Sequence, residues 1–266
     1  MMERSPALQH KLAELTRDVG SRLRKKDGNV PAPATSRRSR QRMAADPGTK
    51  LGYLRETEVF VSLSPEEQTW LAESATMVTC TRGRIFYTPD ESGEVVFILK
   101  RGKVDLYRIA PDGRKLVVAT LGPHTIFGEM GLIGQGMYGC FAEAVDECLI
   151  CVLSRSDMQA LIRRNPDVGL SLLAELGKRL QQRESELEAL AFCGLPARLA
   201  ALLLRESDAY GTVIGLSHQD IAERLGTYRE TVSQLLGRFR SEGLVAVEPR
   251  WIKVLDPGGL AAYAEA

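Results

Sequence analysis

The chain lacks any apolar run approaching the roughly 18 residues needed to cross a bilayer, and its N-terminus is charged where a cleavable leader would need an apolar core. Both absences point to a cytoplasmic protein with no membrane partner. Cysteine is scarce: Cys80, Cys140, Cys148, Cys151 and Cys193 are odd in number and thinly spread, which does not suit a disulfide framework, so reduced thiols are expected. No Ser/His/Asp set, metal-ligand cluster or paired-carboxylate arrangement stands out, and an enzyme is therefore not expected. Charge of one sign is also missing. The net charge is +1, and from residue 192 onward 8 Lys or Arg face 9 Asp or Glu, so charge alone gives no argument for a nucleic-acid partner. Only the first 50 residues depart from this balance, with 12 basic and 5 acidic side chains.

A chain of 266 residues, 44% hydrophobic and 26% charged, has room for two modest domains, each with its own core. Residues 1–50 form a basic extension. Leucines and a valine spaced by three or four predict one helix over 6–26, and a Pro, Ala, Ser and Arg-rich linker follows over 27–48. Two readings of the extension stand, a contact to a DNA backbone or partner and a solvated tail, and Met43 is a third consideration as the true start. Short helical patterns occupy 53–60 and 64–75, the second opened by Ser64-Pro65-Glu66-Glu67. After Met77 the period becomes two. Strands are predicted at 78–81, 85–87, 95–99, 104–109, 116–121, 140–145 and 149–153, with a hairpin turn at Pro111-Asp112-Gly113. Seven or eight short strands at this spacing make a roll.

Pro166 opens a long helix to about residue 191, whose stripe includes Val168, Leu172, Leu176, Leu180, Leu187 and Leu190, interrupted by Arg183. The partner expected for Leu172, Leu176, Leu180 and Leu187 is the same helix of a second subunit; packing on its own roll is the other reading.

The stretch 216–239, LSHQDIAERLGTYRETVSQLLGRF, reads as two helices joined at Gly226. Ser217 and Asp220 form a capping box, Gly226 is free to take a left-handed turn, and Thr227 with Glu230 signals a second N-terminus. Tyr228, Val232, Leu235, Leu236 and Phe239 should face the core, leaving Arg229, Glu230, Ser233 and Gln234 outside. Arg, Glu and Gln have matching partners on the edges of guanine, cytosine and adenine. Strands at 244–247 and 251–255 around Glu248-Pro249-Arg250 supply a wing. The predicted fold is thus α+β: a β-roll over 51–164, a dimerisation helix over 165–192 and a winged helix-turn-helix over 193–266.

A roll, a long helix and a winged helix in this order resemble the cAMP receptor protein and FNR superfamily of bacterial transcription regulators. Arg229-Glu230-Thr231-Val232-Ser233, followed by Leu235-Leu236-Gly237-Arg238-Phe239, and Phe127-Gly128-Glu129-Met130-Gly131-Leu132 carry the resemblance over about residues 50–260. It implies a homodimer on a palindromic duplex, with RNA polymerase as a partner and activation favoured over repression. Arg229 would read guanine and Glu230 the opposite cytosine. Ser233, Gln234, Thr227, Tyr228, Ser217, His218, Gln219 and Arg238 complete the expected DNA contacts, His218 through a phosphate. Many members have Arg where this chain has Gln234, so the half-site need not be the usual one.

The effector pocket implied by the resemblance comprises Gly128, Glu129, Met130, Gly131, Leu132, Tyr138, Gly139 and Cys140, with Glu129 on a ribose hydroxyl. Members that bind cyclic nucleotide follow this stretch with Arg-Ser, and the aligned pair here is Tyr138-Gly139. A phosphate without a charged donor loses a bond of about 1.5–3 kcal/mol, so no cofactor is expected and cAMP is disfavoured. With no cysteine before Cys80, an FNR-type iron–sulfur cluster is not expected either. Cys148-x-x-Cys151 on a strand should point to opposite faces, whereas Cys140 and Cys148, on neighbouring strands, could meet and sense thiol redox state. The alternatives kept open are a cyclic-nucleotide- or redox-responsive regulator, and a ligand- or partner-binding module whose helix-turn-helix is structural.

Overall fold

The structure, a computed structural model, describes residues 52, 54–89, 91, 93–133 and 139–264, which divide into two units. One comprises the described residues up to Leu106 with those of Ala119–Glu175; the other comprises Tyr107–Val118 and the described residues from Leu176 on. The expected N-terminal helix, the linker, Met43 and Tyr138 lie outside the described residues.

The roll is built on short strands: β1 (Thr76–Cys80), β2 (Ile85–Tyr87), β3 (Val95–Arg101), β4 (Val104–Ile109), β5 (Lys115–Leu121), β6 (Ile126–Phe127), β7 (Phe141–Ala144) and β8 (Cys148–Ser154), all in the first unit except the end of β4 and the start of β5, which belong to the second. They form two four-stranded sheets, ordered β1-β8-β3-β6 and β2-β7-β4-β5. β3 is buried on both faces. Its period of two sends Val95, Phe97 and Leu99 into the core between the sheets, and Val96 and Ile98 into a second core outside. Phe97 lies 4.9 Å from Phe127 and 5.6 Å from Phe86, ring centre to ring centre. Each large apolar side chain buried in this way contributes about 1.5–3 kcal/mol.

The second core is completed by helices. α1 (Pro65–Ser74) starts at a reciprocal capping box, in which Ser64 Oγ accepts from Glu67 N at 3.3 Å and the Glu67 carboxylate accepts from Ser64 N at 2.9 Å. α2 (Arg155–Arg164) is capped by Ser154, and α3 (Pro166–Phe192) follows after Asn165. Met158, Leu161, Val168 and Leu172 pack with Val96 and Ile98.

Two expectations need correction here. Leu172 does not wait for a partner subunit, because it is buried among its own unit's side chains. The exposed leucines of α3 are Leu170, Leu173, Leu180, Leu187 and Leu190, and Leu176 is half-buried. Nor do Cys140 and Cys148 sit on neighbouring strands. β7 and β8 belong to different sheets, and the residue opposite Cys148 is Cys80. Cys148 and Cys151 do face opposite cores, as strand alternation requires.

The second unit contains α4 (Leu195–Glu206), β9 (Thr212–Ile214), α5 (His218–Leu225), α6 (Arg229–Ser241), β10 (Val245–Glu248), β11 (Trp251–Val254) and α7 (Pro257–Ala264). β10 and β11 are the expected wing, and β9 adds to its edge, Ile252 pairing with Val213. Neither β9 nor α7 was expected. Three residues are too few to show a period, and the Pro-Gly-Gly opening of α7 disguises a helix start that Asp256 caps by accepting from Gly259 N. A side chain at Gly259 would come within 2.5 Å of Leu244 Cδ2 and 2.6 Å of an Asp256 carboxylate oxygen, so both side chains would have to shift to admit one.

Candidate nucleic-acid interface

Local chemistry fixes the two helices of the motif. Ser217 Oγ accepts from Asp220 N at 3.2 Å, and the Asp220 carboxylate accepts from Ser217 N at 2.7 Å, so α5 starts where the sequence predicts. It ends at Gly226, whose φ of 66° is left-handed, with Gly226 N and Thr227 N both donating to Ala222 O. Ile221, Ala222 and Leu225 of α5 pack on Val232, Leu236 and Phe239 of α6.

The start of α6 differs from expectation. Its N-cap is Tyr228, without a side-chain bond, and not Thr227, because the glycine turn uses Thr227 N in the end of α5. Tyr228 is also not a core residue; it is 55% exposed, with the Arg114 guanidinium 5.0 Å from its ring centre. Arg114 Nη1 also donates to Gly226 O at 3.2 Å. Gln219, Thr227, Tyr228, Arg229 and Glu230 come together around one cleft of about 150 Å³, with Arg114, Lys115 and Glu223.

The predicted contact residues fall into two groups. Arg229, Glu230 and Gln234 are exposed, and their side chains carry no hydrogen bond among the described residues. The others are engaged. Ser217 Oγ is held by Asp220, Gln219 Nε2 donates to Glu223, and Arg238 Nε donates to Glu242 at 2.9 Å. The Glu242 bond raises the Arg238 guanidinium and lowers the Glu242 carboxyl from their ordinary values. His218 Nδ1 lies 2.8 Å from Ser233 Oγ, a link that no spacing rule signals, since the two residues are on different helices. Burial, and then the charge of Arg229, push the His218 imidazole below its usual range.

The expected effector cassette is a 3-10 turn, Glu129–Ile133, after β6. Gly128 has a φ of 79°, and a side chain at Gly131 would come within 2.4 Å of Gly93 O, so both glycines permit a tight backbone cradle. Glu129, Leu132 and Cys140 are buried, Met130 is half-buried and Gly139 is exposed. The cassette's own stretch of sequence supplies no cation. No Lys or Arg occurs between Lys115 and Arg155, and the buried Lys100, on β3, donates to Thr57 Oγ1 at 3.0 Å. The described residues of the cassette, Gly128–Ile133 with Gly139 and Cys140, include no charged donor for a cyclic phosphate. Burial raises the thiols of Cys80 to about 11 and Cys148 to about 12, which disfavours reactive thiolates. No helix among the described residues is long and apolar enough to cross a membrane.

Comparison with known proteins agrees with both halves of the chain. The profile described as "Cyclic nucleotide-binding domain" matches residues 77–165, and "Crp-like helix-turn-helix domain" matches residues 197–263. A "Cyclic AMP receptor protein" from Thermus thermophilus is 33% identical over 207 residues, 77% of this chain and 96% of that protein. A "Global nitrogen regulator" from Synechocystis is 30% identical over 193 residues, 69% of this chain and 86% of that protein. A crystal structure of a CRP-family transcriptional regulator from Thermus thermophilus superposes with a TM-score of 0.61 at 27% identity, covering 71% of this chain and 97% of its own. With the roll, the long helix and the helix-turn-helix in place, the chain belongs to the Crp/Fnr family of transcription regulators.

Proposed function

We propose that this regulator is a homodimer that binds a palindromic duplex site without requiring cAMP, and that it acts as an activator through contact with RNA polymerase. The observation that carries the DNA reading is the state of Arg229, Glu230 and Gln234: exposed, near the start of a helix whose entry is fixed by a left-handed glycine turn. Side chains so placed meet base edges in a major groove. The dimer reading rests on Leu173, Leu180 and Leu187, exposed at intervals of seven along α3. Two-fold symmetry then sets two half-sites about one helical turn apart. Independence from cAMP rests on the cassette without a cation, although relatives carry cAMP in their names. Activation and the polymerase contact rest on family resemblance alone.

Selection of bound sequences from random duplex DNA, with and without cAMP, tests the reading. Enrichment of a palindrome in the absence of nucleotide is the expected outcome. Enrichment only with cAMP would overturn the independence, and no enrichment in either arm would favour a partner-binding module, the reading that the near-neutral C-terminal region also suits.

A further inference from the structure

His218 opens α5, and Ser233 lies in the second turn of α6, on the face of Arg229 four residues before it. The Ser233 hydroxyl has two neighbours: His218 Nδ1 at 2.8 Å and the Arg229 carbonyl oxygen at 3.0 Å. A carbonyl can only accept, and a serine hydroxyl has a single proton. Both contacts are therefore satisfied together in one arrangement only. Ser233 donates to Arg229 O, and His218 Nδ1–H donates to Ser233 Oγ. One lone pair of Oγ is then left over, and no proton. Turning the hydroxyl away would set an oxygen lone pair against the Arg229 carbonyl, which keeps its helical bond from Ser233 N but loses the one from Ser233 Oγ.

We propose that His218 is a positioning residue for sequence recognition, holding Ser233 toward the duplex purely as a hydrogen-bond acceptor, so that Ser233 selects a base offering an amino donor, adenine or cytosine. Adenine presents N6–H and cytosine N4–H in the major groove, whereas guanine O6 and N7 and thymine O4 only accept. The assignment rests on the DNA-binding reading above. It also revises the role expected for His218. With the proton on Nδ1 and the ring neutral, Nε2 is a bare lone pair that repels a phosphate oxygen, so the direct phosphate contact is not made by this form.

The alternative is that the His218–Ser233 bond merely clips two helices together. Two measurements on the full chain separate these roles. The first is selection from random duplexes with the wild type, Ser233→Ala and His218→Phe. The wild type should prefer adenine or cytosine at one position per half-site by about three- to tenfold, the worth of one hydrogen bond. Both variants should lose that preference and keep those assigned to Arg229 and Glu230. The second is the 15N spectrum of histidine-labelled protein without DNA, in which the signal absent from His218→Phe should report a proton on Nδ1. A preference for guanine or thymine at the position that Ser233→Ala alters would overturn the proposal. So would a His218→Phe protein that binds all sequences more weakly but retains the preference. A ring protonated on Nε2 beside a normal wild-type motif sinks this proposal alone; a wild type that enriches nothing sinks the DNA reading and the proposal with it.

Discussion

Arg229 concentrates the recognition argument in one side chain. It is exposed at the first position of α6, and its charge, after burial, pushes the His218 imidazole below its usual range. A guanidinium so placed can give two parallel hydrogen bonds to guanine. Arg229→Ala should therefore relax preference at one base pair of each half-site, at a cost of about 1–3 kcal/mol there, with the remaining positions unchanged. Binding titrations on single-base variants of the selected site would show this; equal weakening on every sequence would instead mean that Arg229 touches phosphate. At this scale the sequence was informative about chemical type but not about engagement. It showed which side chains can read a base. That Arg238 is held by Glu242, and Ser233 by His218, depends on which turns of separate segments meet, and one-dimensional spacing does not contain that.

Elements with strong local signals were legible, and elements made by distant pairing were not. The Ser217–Asp220 box and Gly226 fix both ends of α5 by bonds within ten residues of chain, and both ends fell where the residues said. By contrast β6 and β9, of two and three residues, exist because β3 and β11 are beside them. The second N-terminus shows the limit of motif reading. Thr227 and Glu230 have the spacing of a capping box, yet Thr227 is already used in closing α5, and the helix begins at Arg229 with no side-chain cap. The first cap is thus the one whose loss should be felt. Ser217→Ala should destabilise the winged helix by about 1 kcal/mol and lower its midpoint by several degrees in thermal unfolding. The selected DNA sequence should stay the same, since Ser217 Oγ is held by Asp220 and is not offered to a base. A changed motif would contradict that account.

For the molecule as a whole, α3 is the element that would make one chain into two-fold symmetric machinery, and its two ends do different things. Val168 and Leu172 are buried in the chain's own core, whereas Leu173, Leu180 and Leu187 repeat every seven residues and are 65%, 60% and 65% exposed. Leu176 and Leu190 fall in the companion row of the heptad, whose middle place is Arg183, paired with Glu186. A polar residue at a single seam position costs stability but fixes register, which would suit the proposed dimer, in which the helix holds two half-site readers in phase. Leu180→Glu would remove an apolar seam side chain and place a carboxylate opposite its own copy. The protein should then sediment as a monomer, and its affinity for the full palindrome should fall at least tenfold, toward that of a single half-site. Leu172→Ala is the contrast. It should leave the dimer and the palindrome intact while removing about 2–5 kcal/mol from the stability of the roll. If Leu180→Glu remained dimeric, another surface would have to bring the two winged helices together, and the heptad row along α3 would lose its assigned role.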